Sequence, residues 1–501
     1  MKKLKFSVLI LAIGTLISKV LGLVREMYLA QKFGAGYISD AFILAISIPT
    51  ILITSFAGAI NTNYIPIISE IEKKKKDEIK HFNGILTSLI FIISSIIVII
   101  FYIFTKQIVK IFALGYDDDG LKYVITISRV SILSIYFILM QYIFQGFLEY
   151  KGSFRGTALN GILLNLGFLA GLFFSSKENY CILGYGILFG YLLSFLYVFI
   201  LALKKGFKSK ISIDFKNEYL IKLVKLTLPL LLNSAIWEIN GLIDKSIASK
   251  IGKGYITSLN YANYIVTVVV SVFVSSIGTV IFPKFVKLIN EEKKGEFKEQ
   301  IRIILKTIVL ITIPCTILLS VYSTDIIKVL FYRGEFSEKY LKITSNAMVL
   351  YSLAITFSAI ELIMYKAFYS FQDTKTPTKT ACLSIILNIT LNLILSYYIG
   401  YVGIVLSTVI SVVVSVILLL YNLNKKVHNL FNKDLIVTVL EIIFINVVLI
   451  IILYLLYSLI PNFNIINETI SIIIRDCIIA FIGLGIYGGI AYFMKNKLKE
   501  S

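Results

Sequence analysis

Long apolar runs fill this chain, separated by short polar breaks, and nearly every run is long enough to cross a lipid bilayer as a helix. At ~20 apolar residues per crossing, the pattern predicts helices near 7–24, 38–64, 82–105, 121–148, 154–175, 181–203, 219–244, 255–282, 302–322, 341–370, 380–398, 401–423, 435–460 and 470–494. The pattern also repeats. GAGYIS at 34–39 returns as GKGYIT at 252–257, and IVKIF at 108–112 returns as IIKVL at 326–330, at the same offset. YIPII around Pro66 is answered by IFPKF around Pro283, and each is followed by a Lys-rich loop and another apolar run.

Duplication inside a membrane protein points to a transporter. The predicted fold is an all-α integral membrane protein of about fourteen transmembrane helices, with two parallel six-helix repeats and two extra C-terminal helices. The expected lobes are 1–210 and 211–425, and 426–501 forms the added pair. An even number of spans per copy threads both copies through the membrane in the same sense. Two such lobes can rock about a central site in alternating access.

Composition agrees with a bilayer as solvent. Hydrophobic residues make up 57% of the chain and charged residues 16%, with a mean hydropathy of +0.86, against roughly 45–50% and 25% in soluble domains. The segment before Gly22 has the basic start of a secretory signal. It also contains Lys19, lacks a small-residue cleavage site and has a counterpart in the second copy, so it is expected to be a retained first helix.

The net charge of +20 would suit a nucleic-acid binder, but the cations lie scattered in short loops with no binding motif around them. Most of the 49 Lys and Arg fall on the side of the N-terminus, for example Lys73 to Lys76, Lys204 to Lys225 and Lys284 to Lys306. The positive-inside rule then puts both termini in the cytoplasm, with some cations against anionic lipid. Cys181, Cys315, Cys382 and Cys477 stand in apolar runs without metal or disulfide spacing, and the two His are far apart.

Ionisable residues inside spans are costly unless they face a partner or a wet cavity, so they are the candidate functional groups. In the first two spans these are Lys19, Arg25, Glu26 and Asp40. Ser18, Gly22 and Arg25 share one helix face. Arg25 either faces a cavity or anchors the helix at the interface, with Arg25 and Glu26 pairing with Lys32 or Asp40. The second lobe offers Glu238, Asp244 and Lys245 on span 7 and Glu361 on span 10. Asn388 and Asn392 lie four apart on one face, where their oxygens serve either a hard cation or interhelical hydrogen bonding. Gly34, Gly36, Gly252 and Gly254 are expected to let their turns adopt positive φ.

The segment SKVLGLVREMYLAQKFGAGYISDAF at 18–42 resembles the N-terminal signature of the MurJ/MviN murein lipid II flippases. The likeness continues in SLNYANYI at 258–265, VLFYRGEFS at 329–337 and KAFYSFQDTKTP at 366–377. The resemblance implies a fourteen-helix flippase whose last two helices form a groove for a lipid tail. It also implies transfer of undecaprenyl-pyrophosphoryl disaccharide-pentapeptide, lipid II, from the inner to the outer leaflet of the bacterial cytoplasmic membrane for cell-wall biogenesis. Carried over by position, the substrate-binding residues are Lys19, Arg25, Asp40 and the adjacent Ser18. The resemblance assigns a sodium site to Asp244, Asn388, Asn392 and Thr408, with a carbonyl near Ile404, and implies no other cofactor.

This chain departs from the family pattern at several positions. Ile53 and Thr54 follow Pro49 where many members carry Arg, Tyr264 stands where the family has the Arg of Y-A-x-R, after Tyr261, Ala262 and Asn263, and Asn392 replaces an Asp. A flippase for another polyprenyl-pyrophosphate glycolipid therefore stays open. So does a cation or drug antiporter using Glu238, Asp244 and Glu361, which would need a negative rather than a positive cavity. A membrane glycosyltransferase would need a catalytic carboxylate cluster, and Asp117 to Asp119 is better suited to a helix connection. The expected partners are the lipid substrate and membrane lipids, with the chain working as a monomer.

Overall fold

Within a bilayer every backbone polar group has to be satisfied inside the protein, so apolar runs of this length fold as helices. The computed structural model describes the backbone of residues 2–75, 77–153, 155–460 and 468–497. Within these, side chains are described except at 2–12, 52, 155–158, 229–237, 272–280, 468 and 491–497. Among the described residues the chain is helical, without a strand.

The first copy runs through α1 (Lys2–Phe33), α2 (Tyr37–Lys74), α3 (Glu78–Ile103), α4 (Thr105–Phe112), α5 (Asp118–Ser131), α6 (Ser134–Tyr150), α7 (Arg155–Phe174) and α8 (Ile182–Lys204). The second follows in the same order with α9 (Glu218–Ile251), α10 (Tyr255–Asn290), α11 (Lys294–Val321), α12 (Ser323–Phe331), α13 (Glu338–Ser352), α14 (Ala354–Ser370), α15 (Lys375–Ile399) and α16 (Tyr401–Val427). The added helices are α17 (Lys433–Leu459) and α18 (Glu468–Lys497).

Every predicted span is a helix or a pair of helices. Among the described residues eight helices are long and apolar enough to cross a membrane, or ten if each bent pair is one span. The duplication extends to irregularities that the apolar pattern did not show. In both copies the fourth predicted span is broken, into α5 and α6 and into α13 and α14, with a 43° bend each time. Short helices α4 and α12 also occupy matching places. At the second break Thr316 Oγ1 donates to the Ser352 carbonyl at 3.1 Å, and at the first the Ser131 hydroxyl donates to Ala45 O of α2 at 2.8 Å. Such side-chain donors stabilise an interrupted helix in lipid.

The chain packs as two units, one of residues 1–257 with 334–336 and the other of 258–333 with 337–501. In the first, α2 packs against α5, α6 and α9, and α7 lies between α1 and α8. In the second, α16 packs against α13, α14 and α15, while α11 contacts α14 and α17, and α18 contacts α17 and α12. The core of the second unit joins Phe285, Phe297, Ile363, Phe368 and Leu419. Large apolar side chains such as Phe444, Tyr454 and Phe481 point outward, as expected of a lipid-facing surface.

The α7–α8 crossing is set by glycine. Gly167 and Gly171 on α7 meet Gly190 and Gly186 on α8 so closely that a Cβ on Gly171 would lie 2.4 Å from the Gly186 Cα. Two small-xxx-small rows thus let the backbones touch. Gly171→Leu is expected to force the helices apart at a cost of about 1–3 kcal/mol, read as a lower unfolding temperature of the detergent-solubilised protein. Gly485→Ala on α18, where a Cβ meets nothing within 4 Å, is the matched control.

Candidate functional site

Arg25 sits on α1 against α7, and its side chain is 13% exposed. One guanidinium nitrogen, Nη1, donates to Asn165 Oδ1 at 3.2 Å, while Nη2 pairs with Glu26 Oε1. The guanidinium carbon lies 5.4 Å from the centre of the Phe168 ring, within range of a cation–π contact. Asn165 also donates through Nδ2 to Ser18 O at 3.1 Å and lies 3.4 Å from Ser18 Oγ. The face shared by Ser18 and Arg25 is therefore real, and a buried amide on α7 reads it. Lys19, the next residue along α1, is half-buried.

Glu26 is the counter-charge that the sequence did not single out as such. Its carboxylate is 2% exposed, and Oε2 has no hydrogen-bond partner among the described residues. The pairing of Arg25 and Glu26 with Lys32 or Asp40 is replaced by a pairing with each other. Lys32 instead donates to the carbonyls of Leu172 and Phe173, both at 2.8 Å, at the end of α7, as a cation near a helix C-terminus should. The local signal for Asn165 was an amide inside the apolar run LLNLGF, visible in the sequence but without an assigned partner.

Asp40 is fully buried and faces the glycine turn of the second copy. Its Oδ1 accepts from Thr257 N at 2.7 Å and Thr257 Oγ1 at 2.5 Å. Its Oδ2 accepts from Gly254 N at 2.5 Å and from the Tyr116 hydroxyl. The acidic residue that ends one GxGY turn thus holds the other. Gly34, Gly252 and Gly254 have the expected positive φ, at 64°, 149° and 83°. Gly36 does not: its φ of −176° is extended backbone open to any residue, and a Cβ there would touch nothing.

The other motifs of the family likeness are also turn fasteners. In VLFYRGEFS, Glu335 N donates to Gln31 O at 3.0 Å and the Glu335 side chain pairs with Lys177 at 2.8 Å. A Cβ on Gly34 would come within 2.3 Å of Glu335 O. In SLNYANYI, Tyr261 is buried and stacks on Phe331 with ring centres 4.4 Å apart. In KAFYSFQDTKTP, Asp373 caps α15 by accepting from Thr376 N at 3.0 Å and Thr376 Oγ1 at 2.8 Å, and Lys426 pairs with it at 2.5 Å. Partial burial pushes the Asp373 carboxyl up, but the Lys426 ammonium and the two Thr376 donors outweigh it and hold the group down at about 2. Asp117 likewise caps α5 by accepting from Gly120 N at 2.8 Å.

Of the candidates later in the chain, Lys245 donates to Ser47 Oγ at 2.5 Å in the first unit, to which Asp244 also belongs. Glu361 in the second unit accepts from Tyr365 and Ser415. Asn388, Asn392 and Thr408 come together on α15 and α16. Asn388 Nδ2 donates to Thr408 Oγ1 at 3.3 Å, Asn392 Nδ2 to Asn388 Oδ1 at 3.1 Å, and Ser407 Oγ to Asn392 Oδ1 at 2.8 Å. Thr408 Oγ1 also donates to Ile404 O at 3.2 Å. Among the described residues no group of three or more His, Cys, Asp and Glu has the placement of a metal site.

An inward-facing multidrug resistance MATE family transporter of the MOP superfamily shares the fold, with a TM-score of 0.71 over 85% of this chain and 98% of that one at 13% identity. The helices long and apolar enough to cross a bilayer among the described residues define a polytopic membrane protein. A lipid II flippase MurJ in the inward closed conformation matches with a TM-score of 0.81, covering 96% of this chain and 98% of that chain at 27% identity. The family model described as lipid II flippase MurJ matches residues 29–473, so the chain belongs to that family. Relatives include a probable lipid II flippase MurJ of Buchnera aphidicola subsp. Schizaphis graminum (strain Sg), 26% identical over 74% of each chain. Another, of Vibrio cholerae serotype O1 (strain ATCC 39315 / El Tor Inaba N16961), is 27% identical over 75% of this chain and 74% of the relative. The family consists of flippases, so the chain is a transporter and not an enzyme.

Proposed function

We propose that this chain carries lipid II, the undecaprenyl-pyrophosphoryl glycopeptide, from the inner to the outer leaflet of the cytoplasmic membrane by alternating access. The observation that carries the reading is the family match over residues 29–473, joined to a solved lipid II flippase of the same fold over almost the whole chain. Both termini are placed in the cytoplasm on the distribution of Lys and Arg.

A pyrophosphate entering a site of low dielectric needs cations to offset its charge as water is stripped away. Arg25 and Lys19 supply them, with Ser18 beside them on α1. Glu26 holds the Arg25 fork between turnovers and gives it up when the phosphates arrive. Asp40 serves from a distance by bracing the turns at Gly254 and Thr257. The inside-negative membrane potential contributes ~2.3 kcal/mol per charge per 100 mV, in the direction that favours outward movement of an anion.

For sodium, the candidate ligands are Asp244 in the first unit and, in the second, the neutral oxygens of Asn388, Asn392, Thr408 and Ile404, which are hydrogen-bonded among themselves. An ion would share or compete for those oxygens, and the mechanism above runs on the membrane potential without one. The function is tested by depleting the resident lipid II flippase of a bacterium, expressing this chain, and measuring outer-leaflet lipid II together with survival. Recovery of both is the expected result. Well-inserted protein that leaves lipid II confined to the inner leaflet would exclude lipid II as the substrate.

A further inference from the structure

We propose that a cavity between α11, α12 and α18 binds a membrane amphiphile with a primary ammonium head. The cavity is built from residues of the second unit alone and does not depend on the substrate reading. The cavity, of about 320 Å³, is walled by apolar side chains such as Leu318 and Ile473. The charged residues lining it are Asp325 and Asp476, both acidic. Tyr322 also lines it; the residue is 4% exposed, yet its hydroxyl has no hydrogen-bond partner among the described residues. An orphan hydroxyl in apolar surroundings is destabilising unless something arrives to bond it.

The two carboxylates share one guanidinium. Arg475 Nη2 reaches Asp325 Oδ2 at 2.7 Å, and Arg475 Nε donates to Asp476 Oδ1 at 2.9 Å. Tyr457 covers the guanidinium with its ring, 4.2 Å from centre to carbon, and its hydroxyl donates to Asp325 Oδ2 at 3.2 Å. Arg475 is 7% exposed and each Asp 16%, so the cluster is largely removed from solvent and one positive charge short of neutral. A compact ammonium has three donors, enough to bond both carboxylates and the Tyr322 oxygen. Its alkyl chain would fill the apolar part of the cavity. An anionic head is repelled by the same wall.

Cys477 lines the cavity and provides the readout. In the full chain with Cys181, Cys315 and Cys382 changed to Ser, alkylation of Cys477 by N-ethylmaleimide is followed in detergent with added dodecylammonium or dodecanol. Dodecylammonium is expected to slow labelling about tenfold at a concentration where dodecanol changes it less than about twofold. Tyr322→Phe and Asp476→Asn should each weaken that protection. Equal protection by the alcohol, no protection by the amine, or undiminished protection in Asp476→Asn would overturn the proposal. If Asp476→Asn does not fold, the amine-against-alcohol comparison and Tyr322→Phe still decide.

Discussion

Asp40→Ala is expected to destabilise the protein by roughly 3–5 kcal/mol, seen as a large fall in unfolding temperature and in the yield of inserted protein. Two oxygens of one fully buried side chain accept four hydrogen bonds, from Tyr116, Gly254 N, Thr257 N and Thr257 Oγ1. Removing the carboxylate leaves those donors buried together with no acceptor. Asp40→Asn should rescue little, because its amide nitrogen would point N–H groups at neighbours that are themselves donors. A residue acting only on substrate would behave differently, losing flipping while keeping full stability. Asp40→Asn with wild-type unfolding temperature and yield would remove the bracing role.

Arg25→Ala carries the second large effect, and it has two parts that one variant cannot separate. The first is structural. Glu26 is left 2% exposed without its guanidinium, a buried unpaired charge whose cost is about 3–5 kcal/mol. The second is functional: on the proposed mechanism the site loses the fork that meets the phosphates. The double variant Arg25→Ala/Glu26→Gln removes the uncompensated charge and should recover most of the stability. Its flipping, measured as the appearance of outer-leaflet lipid II, should still fall roughly thirtyfold or more, the lower end of the ~2–5 kcal/mol expected for a lost charge-assisted contact. Arg25→Lys should recover little, since one ammonium cannot span Asn165 and Glu26 while lying on Phe168. A stable double variant that flips at the wild-type rate would show that Arg25 is a helix anchor.

Position along the chain was enough to locate the helices. Apolar runs such as 82–105 and 435–460 have one stable outcome in lipid, and they fold as α3 and α17. The duplicated turn motifs located the two copies, though not the backbone of each turn: Gly254 has positive φ where its counterpart Gly36 is extended. The 43° breaks within 121–148 and 341–370 were not legible, because the apolar run is continuous through them and their hydrogen bonds to α2 and α11 form only in the fold.

The site shows the same division. Lys19, Arg25 and Asp40 could be picked out because a charge in a span is conspicuous in any sequence. Their partners could not. Arg25 pairs with Asn165 because α7 packs on α1, and Asp40 reaches Gly254 and Thr257 across more than two hundred positions of chain. Asp325, Arg475 and Asp476 likewise come together only where α18 meets α12. By itself the sequence determined which segments enter the membrane and which charges go with them, since solvent preference acts residue by residue. Only the tertiary structure decided what each charge faces, because a hydrogen bond or ion pair needs atoms within about 3 Å and helix packing alone sets those distances.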